Sequence, residues 1–551
     1  MESPRRAPQA CRPCKRLKRK CTKELPSCSL CIRLGKACRY PAKPRPTEPE
    51  ELDRESLIDL VQHLRERAEQ AERSSAAAHL TPPDTASSVD TQPLSLQPTV
   101  QRGPSTLPTF PPAFFLDPDY FTPVSPARLT PDISVPSEVT ELIGHDVHSI
   151  CHRYFATTHT WFPFVSPKRV YQRVDSDSTT DAGLALLLLC MKLDSMPCGE
   201  LRPAESTLYQ AARRYVSALE DTSTVSLCLL QALVMIALYE LGHGIFPAVF
   251  LTVGRAARLG VLMSLHCRNF ARSTQLLKPS GTWTPREEER RTWWATLVLE
   301  RYLALGPRGI PLSTPEPTGG DLLPSEDARW NAGEIGHNDP LYITSFPRMS
   351  QIGAFAKTCQ AGHMLGRVIH HRDEGEVYQL ERSARLAEAL QLHSALTALD
   401  TYLLQAETAE AGEGDRALEP SRLVSVALCC SAMLTLANMY GCNESDCVER
   451  VPEESEMQVA ALESLKRVVM KQVPTIARAV LQGGQAALDE TSPLVTQCLY
   501  HAASECQWFI REGLYPEMET VLRLTTDTLE LLAGRWTVAG MYLKLLQSGP
   551  P

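Results

Sequence analysis

The chain has 551 residues, of which 43% are apolar and 22% are charged, and its formal net charge at pH 7 is −8. This length allows several domains and a large buried core. The first residues, Met-Glu-Ser-Pro-Arg-Arg, lack the apolar stretch of a secretory signal, so we expect neither an oxidising compartment nor a secreted disulfide framework.

Charge is divided unevenly along the chain. Residues 1–46 carry fourteen lysines and arginines against two glutamates, whereas the remainder carries 42 basic and 62 acidic residues. A segment as cationic as residues 1–46 binds a polyanion by releasing its counterions, so its affinity should fall steeply with salt. The acidic remainder would be repelled by DNA, and contact with nucleic acid is therefore expected only near the amino terminus.

Six cysteines lie within this basic segment in the spacing C-x2-C-x6-C-x6-C-x2-C-x6-C. The segment therefore consists of two halves, each with the pattern C-x2-C-x6-C. Two tetrahedral zinc ions need eight ligand bonds, and six thiolates supply eight only if two of them bridge both metals. The spacing therefore predicts a two-zinc cluster, in which each C-x2-C turn can open a short helix. A disulfide framework or a redox thiol set is the alternative, and the compartment argument disfavours disulfides. The predicted zinc ligands are Cys11, Cys14, Cys21, Cys28, Cys31 and Cys38.

Roughly residues 10 to 41 resemble the zinc binuclear cluster domain of fungal transcription factors, with all six cysteine positions present. The resemblance implies that Cys11 and Cys28 bridge the metals. It also implies which cysteines complete each zinc: Cys14 and Cys21 for one, Cys31 and Cys38 for the other.

In that family the first helix enters the DNA major groove, and a lysine near its end contacts bases of a G/C-rich triplet. Lys18 occupies this position, while Leu17 stands where the family usually has a basic residue. The neighbouring cations are expected to contact phosphates, which position the domain without reading sequence. These are Lys15, Arg16, Arg19 and Lys20. The proposed cluster domain spans residues 8–42.

Residues 50–73 predict a dimerisation helix that resembles a short coiled coil. Its apolar seam follows the a/d rhythm of a helix pair at Leu57, Val61, Leu64, Ala68 and Ala71. The seam covers barely two and a half heptads, so an isolated amphipathic helix is the alternative. A homodimer is the corresponding hypothesis.

Residues 74–138 are rich in proline, serine and threonine and predict a disordered linker. Within the linker, residues 110–121 place five aromatic side chains beside two acidic ones. This composition is typical of a peptide that binds a coactivator or of a strap that packs on the protein's own large domain. We favour the strap.

Residues 139–547 show the 3.6-residue apolar rhythm throughout and predict a large all-α domain. Residues 228–239 are apolar on nearly every side, which predicts a central buried helix that ends near Gly242. Twelve residues are too few to span a membrane, and no membrane partner is expected. Thr284-Pro-Arg-Glu287 predicts a helix start with a capping box and with Pro285 at the first helical position.

The helical domain is similar to the regulatory "fungal-specific transcription factor" domain found after such clusters, closely over residues 145–330 and loosely beyond. The stretches that carry the similarity are Tyr154-Phe155, His159, Trp161-Phe-Pro-Phe164, Gly254-Arg-Ala-Ala-Arg-Leu-Gly260, Leu265-His266, Glu288-Glu-Arg-Arg-Thr-Trp-Trp294 and Arg301-Tyr302. They are expected to be structural, with Arg255, Arg258, Glu288 and Arg291 forming pairs at helix junctions.

Sequence signatures of an enzyme are missing: there is no glycine-rich phosphate loop, nucleophile elbow or H-E-x-x-H pair. A small-molecule effector pocket between helices is expected, at a place that the sequence does not give. Cys429-Cys430 and the pair Cys442 and Cys447 are alternative oxidant sensors, although buried cysteine commonly serves as a small hydrophobe. The acidic stretches 407–415 and 444–456 predict solvated loops.

These features together predict a mainly α, zinc-dependent nuclear transcription factor for RNA polymerase II genes that is not an enzyme. Its expected partners are double-stranded DNA, a second copy of the chain, coactivators and a small effector. The resemblance to the family implies activation of metabolic or secondary-metabolite genes. The alternative is a zinc or thiol interaction protein that binds polyanions without sequence preference. A regulator should prefer its own site over random duplex by about 10³-fold or more.

Overall fold

The computed structural model divides the chain into two compact units, residues 1–101 and 102–551. The predicted dimerisation helix at 50–73 and the aromatic segment at 110–121, apart from Leu116, lie outside the described residues. The structure describes residues 21–33, 38, 116, 134–176, 181–196, 202–267, 280–342, 352–377, 382–405, 418–441, 452–513 and 515–548.

The described residues are helical almost throughout, as the apolar periodicity predicted. Short 3₁₀ and π segments connect some helices. The described part contains no strand, only isolated bridge residues such as the antiparallel pair Leu322 and Pro340. The first unit contributes α1 (Ser29–Arg33). The first half of the second unit contains α2 (Ser137–Ile143), α3 (Val147–Ala156), α4 (Thr158–Trp161), α5 (Pro167–Asp175), α6 (Ala182–Ser195), α7 (Thr207–Asp221), α8 (Leu227–Gly242), α9 (Ala248–Leu262), α10 (Trp283–Leu303) and α11 (Asp327–Ala332). The second half contains α12 (Ala354–Val377), α13 (Arg382–Gln405), α14 (Pro420–Tyr440), α15 (Pro452–Arg467), α16 (Val473–Gly483), α17 (Thr496–Arg511), α18 (Met518–Ala533) and α19 (Thr537–Ser548).

Two helices form the centre of the second unit. Every residue of α8 from Leu229 to Gly242 is buried, and the helix packs against α6, α7, α9 and α10. In the other half, α14 is buried along most of its length between α12, α13, α15 and α17. A helix that is apolar on all sides must be surrounded by other helices, which confirms the prediction of a central buried helix near residues 228–239.

One helix in the described part, α14, is long and apolar enough to cross a membrane. However, 89% of its apolar window is buried inside the protein. Its composition is therefore that of a core helix in a multilayered helical fold.

The capping box predicted at Thr284 is wrong. α10 begins at Trp283 after Thr282, and no side chain caps this end. The Glu287 carboxylate, which the box required to bond back to the helix start, instead accepts hydrogen bonds from the Ser325 backbone N–H at 2.8 Å and from Arg291 Nε at 3.0 Å. Buried charged partners stabilise this carboxylate more than a terminal N–H would.

The prediction of a solvated loop at 444–456 is also wrong for its last residues. α15 begins at Pro452, and Glu453 and Glu454 lie in its first turn. Proline at the first position and acidic residues in the first turn suit a helix start, because no backbone donor is lost and the helix dipole favours negative charge. Glu454 is buried and accepts two hydrogen bonds from Arg382, each of 2.6 Å.

Close packing of α9 on α10 depends on one of the two glycines in the stretch Gly254 to Gly260. A Cβ added at Gly260 would lie 2.5 Å from Cζ3 of the buried Trp293, whereas a Cβ at Gly254 would meet nothing within 4 Å. The two positions lie on the same helix, so helix propensity favours alanine at both by about 1 kcal/mol. Only Gly260 opposes this preference through packing.

We expect Gly260→Ala to lower the free energy of unfolding by about 1–3 kcal/mol, because the added methyl group would overlap the buried indole ring and force it to shift. Gly254→Ala, the matched control on the same helix, should leave it unchanged or raise it by up to about 1 kcal/mol. Urea unfolding followed by far-ultraviolet circular dichroism would measure both. Equal effects of the two substitutions would contradict the packing role of Gly260.

Candidate metal centre and nucleic-acid interface

The second C-x2-C pair opens α1, as the spacing predicted. The Ile32 N–H donates to the Cys28 carbonyl at 3.1 Å, which places Cys28 immediately before the helix and Cys31 one turn into it. A hydrogen bond from the Ser29 N–H to Thr22 Oγ1, at 3.0 Å, holds the turn to the residues that precede it. Local hydrogen bonds therefore bring Cys28 and Cys31 to the same side of the turn.

Three sulfur atoms meet at this turn. The Sγ atoms of Cys28, Cys31 and Cys38 all lie within 4.8 Å of one another, and the Cys28 N–H donates to Cys38 Sγ at 3.3 Å. Cys28 and Cys31 are buried, and Cys21 packs against the same cluster. The described residues thus bring together four of the six predicted ligands.

This donor set fits zinc. Thiolates bound to one tetrahedral zinc at about 2.3 Å lie about 3.8 Å apart, so the three sulfurs need only a small contraction to become ligands. A backbone N–H that donates to a cysteine sulfur stabilises the thiolate, and such outer contacts fix the orientation of zinc ligands. Cys28, Cys31 and Cys38 are also three of the four cysteines that the family resemblance assigns to one metal.

The remaining predicted site residues lie outside the described residues. They are Cys11, Cys14, Lys15, Arg16, Lys18, Arg19 and Lys20. Within the described part of the cluster, Lys23 and Arg33 are exposed cations that the sequence reasoning did not assign to DNA. They lie outside the basic run from Lys15 to Lys20 to which the prediction of DNA contact was confined.

Two family models match the chain, in the order in which the two sets of motifs occur. The fungal Zn(2)-Cys(6) binuclear cluster domain matches residues 9–47, and the fungal specific transcription factor domain matches residues 151–342. Transcription factor BOA15 of Botryotinia fuckeliana is 36% identical over 180 residues, which are 32% of this chain and 98% of that protein. The chain belongs to the fungal zinc-cluster transcription factors.

Other relatives match more of the chain at lower identity. The citrinin biosynthesis transcriptional activator mrl3 of Monascus ruber is 24% identical over 347 residues, or 60% of this chain and 65% of that protein. The depudecin biosynthesis cluster-specific transcription activator DEP6 of Fusarium langsethiae is 27% identical over 359 residues, or 54% of this chain and 56% of that protein. The chain thus spans less than two thirds of the length of these two activators. No solved structure matches the chain.

Membership of this family confirms that the protein is a DNA-binding transcription factor with a zinc-binding cluster domain and not an enzyme. The large helical unit has the regulatory type of domain that the motifs predicted. The acidic helical unit therefore accompanies a basic DNA-binding unit in one chain.

Three of the four family-motif residues predicted to pair at helix junctions do so: Glu288 and Arg291 are buried, and Arg255 is partly exposed. Arg258 is exposed and forms no such pair among the described residues, so the prediction is wrong there. Glu288 of α10 accepts hydrogen bonds from the Ser166 N–H at 2.9 Å and from Gln231 Nε2 at 3.1 Å, and it pairs with Arg169. Arg255 of α9 donates from Nε to Glu220 of α7 at 3.1 Å. These contacts hold α5, α8 and α10 together at one joint and α7 and α9 together at another.

His159 illustrates why the histidines of these motifs are structural. Its ring is buried, and Nε2 lies 2.9 Å from Asn331 Oδ1. Burial lowers the pKa of this imidazole to about 4, so it is neutral at physiological pH. The described contacts of His159 are with protein groups, which supports a role in joining α4 to α11.

Cys429 and Cys430 lie deep in the core on α14 and are inaccessible to solvent. Burial raises the pKa of Cys429, and a hydrogen bond with Cys498 together with burial raises that of Cys430. Oxidant sensing needs an accessible thiolate, so these two cysteines are core residues. Cys442 and Cys447 lie outside the described residues.

Proposed function

We propose that this protein recognises G/C-rich triplet half-sites and activates RNA polymerase II transcription of a metabolic or secondary-metabolite gene set in the nucleus. The observation that carries the proposal is the six-cysteine spacing together with the meeting of Cys28, Cys31 and Cys38 around one point. The relatives support both activation and the class of target genes, because they are named as activators of biosynthesis or of biosynthetic clusters.

The metal centre is proposed to hold two zinc ions, with Cys11 and Cys28 as bridges. Six thiolates and two tetrahedral ions require two bridging ligands. The position of Cys21 supports this arrangement, because it packs against the sulfur cluster without belonging to the closest group. A cysteine bound to the second metal would lie there, since a bridging Cys28 brings the two metals close together.

The domain layout that goes with this function is proposed to be a cluster domain at 8–42, a dimerisation helix at 50–73, a linker at 74–138 and a regulatory domain at 139–547. In this layout a homodimer sets the distance between two half-sites. Coactivators and a small effector act through the linker and the regulatory domain. The first segment is basic and the remainder is acidic, which supports DNA binding by the first segment and regulation by the remainder.

Base reading is assigned to Lys18, and phosphate contact to Arg19. We expect Lys18→Ala to relax sequence preference, because base contacts specify the site. Arg19→Ala should weaken binding to all sequences alike and lower the slope of log affinity against log salt by about one. Both residues are in the same short basic run, so each variant is the control for the other.

The test is selection of binding sites from random duplexes by the zinc-loaded full-length chain, with bound zinc quantified in the same sample. Enrichment of two G/C-rich triplets at a fixed distance is expected for a homodimer, and of one triplet for a monomer. Full zinc loading without enrichment would contradict the proposal in favour of a nonspecific polyanion binder. Equal loss of preference in the Lys18 and Arg19 variants would contradict the division of roles.

A further inference from the structure

A cavity of about 360 Å³ lies where the two halves of the helical unit meet. Its walls come from the ends of α8 and α10 in the region that matches the regulatory family, and from α12, α14, α17 and α19 beyond that region. Cavities that hold small molecules in proteins have volumes of about 300–1,000 Å³ and often lie between helices. A ligand at this place would touch both halves of the fold at once.

One wall of the cavity is aromatic. The rings of Tyr500 on α17 and Tyr542 on α19 are stacked, with centroids 4.7 Å apart and an angle of 23° between their planes. Tyr302 also lines the cavity, and burial raises its pKa to about 12, so its hydroxyl is a donor at physiological pH. Phe246, which is 58% exposed, lies at the edge. These flat surfaces suit a ligand with a planar conjugated ring.

The charged residues of the lining are both arginines. Arg308 is exposed, and within the part of the chain that the structure describes its guanidinium has no hydrogen-bond or ion-pair partner. Arg372 is buried and also lines the cavity. Among the described residues of the lining there is no aspartate or glutamate. Burial lowers the pKa of His501, another lining residue, so it is neutral at physiological pH and does not add to the charge.

Two carboxylates that bond to residues of the lining are already engaged. Asp373 accepts a hydrogen bond from Arg372 Nε at 2.7 Å, and Glu505 accepts one from Asn438 Nδ2 at 2.9 Å. Neither of them pairs with Arg308 in the structure. The cavity therefore offers one uncompensated positive charge beside an aromatic wall.

The loop that carries Arg308 is held in place by Arg372. The Arg372 guanidinium donates to the carbonyls of Ala304 and Pro307, each at 3.0 Å, and of Leu305 at 3.3 Å. These bonds fix the main chain immediately before Arg308. The buried Arg372, from the other half of the fold, thus fixes the main chain next to Arg308. Less conformational entropy is then lost when a ligand binds.

We propose that this cavity binds a conjugated organic acid whose ring stacks against Tyr500 and Tyr542 and whose carboxylate pairs with Arg308. The ligand joins α8 and α10 to α14, α17 and α19, and so stabilises one arrangement of the regulatory unit. This inference rests on the proposed function as a regulator, for which the acid would be the effector. A guanidinium that pairs with a carboxylate on a surface otherwise free of acids provides both affinity and selection for charge.

The test uses the zinc-loaded full-length chain and measures the midpoint of thermal unfolding with benzoate, naphthoate, anthracene carboxylate and the corresponding amides. At least one of the larger acids is expected to raise the midpoint by about 2–4 °C at saturation, because it binds the folded state only. Its amide should bind about tenfold more weakly or worse in calorimetry, because the charged hydrogen bond is lost. Octanoate, an acid without a ring, should produce a smaller shift than the aromatic acids.

Two variants and one control locate the binding. Arg308→Gln, on the surface, should remove the difference between acid and amide. Met439→Trp, which places an indole in the cavity from α14, should abolish binding of all probes. Arg523→Gln on α18 is the matched control, because Arg523 is an exposed arginine away from the cavity. It should behave as the unchanged chain does.

No shift with any of the acids, or equal shifts in Arg308→Gln and the unchanged chain, would overturn the proposal. Selection of DNA sites by the same samples separates this outcome from failure of the proposed function. A chain that selects G/C-rich triplets but binds none of the acids would lack this effector site and still be a regulator. A chain that binds the acids but selects no DNA sequence would support the ligand site and contradict the proposed function as a sequence-specific regulator.

Discussion

Cys28→Ala should remove both zinc ions and abolish DNA binding, because the assigned bridge contributes a ligand to each metal. Structural zinc contributes about 10–16 kcal/mol of apparent folding free energy in small finger peptides, far more than a cluster of this size could replace. The Cys28 side chain is fully buried, and its sulfur lies within 4.8 Å of the sulfurs of Cys31 and Cys38. Zinc content per chain and affinity for the selected duplex would measure the effect.

Cys228→Ala is the control for this substitution. Cys228 lies on α8 of the helical unit and is only partly buried, so the variant should retain two zinc ions and its DNA affinity. Cys38→Ala, which removes a ligand assigned to one metal only, should retain more zinc than Cys28→Ala. Retention of DNA binding by the Cys28 variant would refute the bridging assignment.

Arg291→Met should lower the free energy of unfolding of the helical unit by about 3–5 kcal/mol, because it leaves a buried carboxylate without its main partner. Arg291 and Glu287 are both inaccessible to solvent and are joined by a bond of 3.0 Å. The same guanidinium donates to Asp327 at 2.8 Å and to the Ser325 carbonyl at 2.7 Å. One side chain therefore connects α10 to the segment that leads into α11.

Acid should reduce the effect of this substitution. Burial alone would raise the pKa of Glu287, but Arg291 and Arg290 outweigh it and hold the pKa below its usual value. A carboxyl with a lowered pKa stabilises the fold above its unfolded pKa, and this stability is lost as pH falls through the folded value. Loss of Arg291 removes the largest of the contributions that lower the Glu287 pKa, so we expect the variant to lose less stability than the unchanged chain on acidification. The difference between the two should be largest near pH 7.

Urea unfolding at pH 7 and pH 4 would measure both effects. Arg214→Met is the matched control, because Arg214 pairs with Glu138 at the surface, where both side chains are more than half exposed. Such pairs contribute about 0–1 kcal/mol. The double variant Glu287→Gln and Arg291→Met should recover part of the loss, since it removes the unpaired charge as well. A loss at Arg291 no larger than that at Arg214 would contradict the role of the buried network.

Local chemistry made the metal centre predictable from the sequence. A C-x2-C turn places two thiolates close enough to bind one metal, so the spacing of Cys28 and Cys31 already predicted a shared site. The turn at Cys28 also follows from local hydrogen bonds within eight residues of chain. The all-α class and the buried α8 were predictable for a similar reason, because apolar periodicity reports which faces of a helix are covered.

Long-range contacts explain what the sequence did not reveal. Glu287 matches a capping box by its spacing, yet its partners include Ser325 and Asn338, which are 38 and 51 residues away. Gly254 and Gly260 look equivalent in the sequence, and only the approach of Trp293 distinguishes them. Helix propensity and capping patterns depend only on residues that are close in the sequence. They therefore do not account for contacts with residues of another helix or loop.

The sequence by itself determined that this protein has a zinc cluster, a basic DNA-binding end and a large helical regulatory unit. Spacing, charge and apolar periodicity are properties of residues that are close in the sequence, so they can be determined without knowledge of the fold. Only the tertiary structure decided which charges are buried together, which glycine permits helix contact, and where Arg308 and the tyrosines of α17 and α19 enclose a cavity. Those features arise from side chains tens to hundreds of residues apart in the sequence, whose meeting depends on how the helices pack.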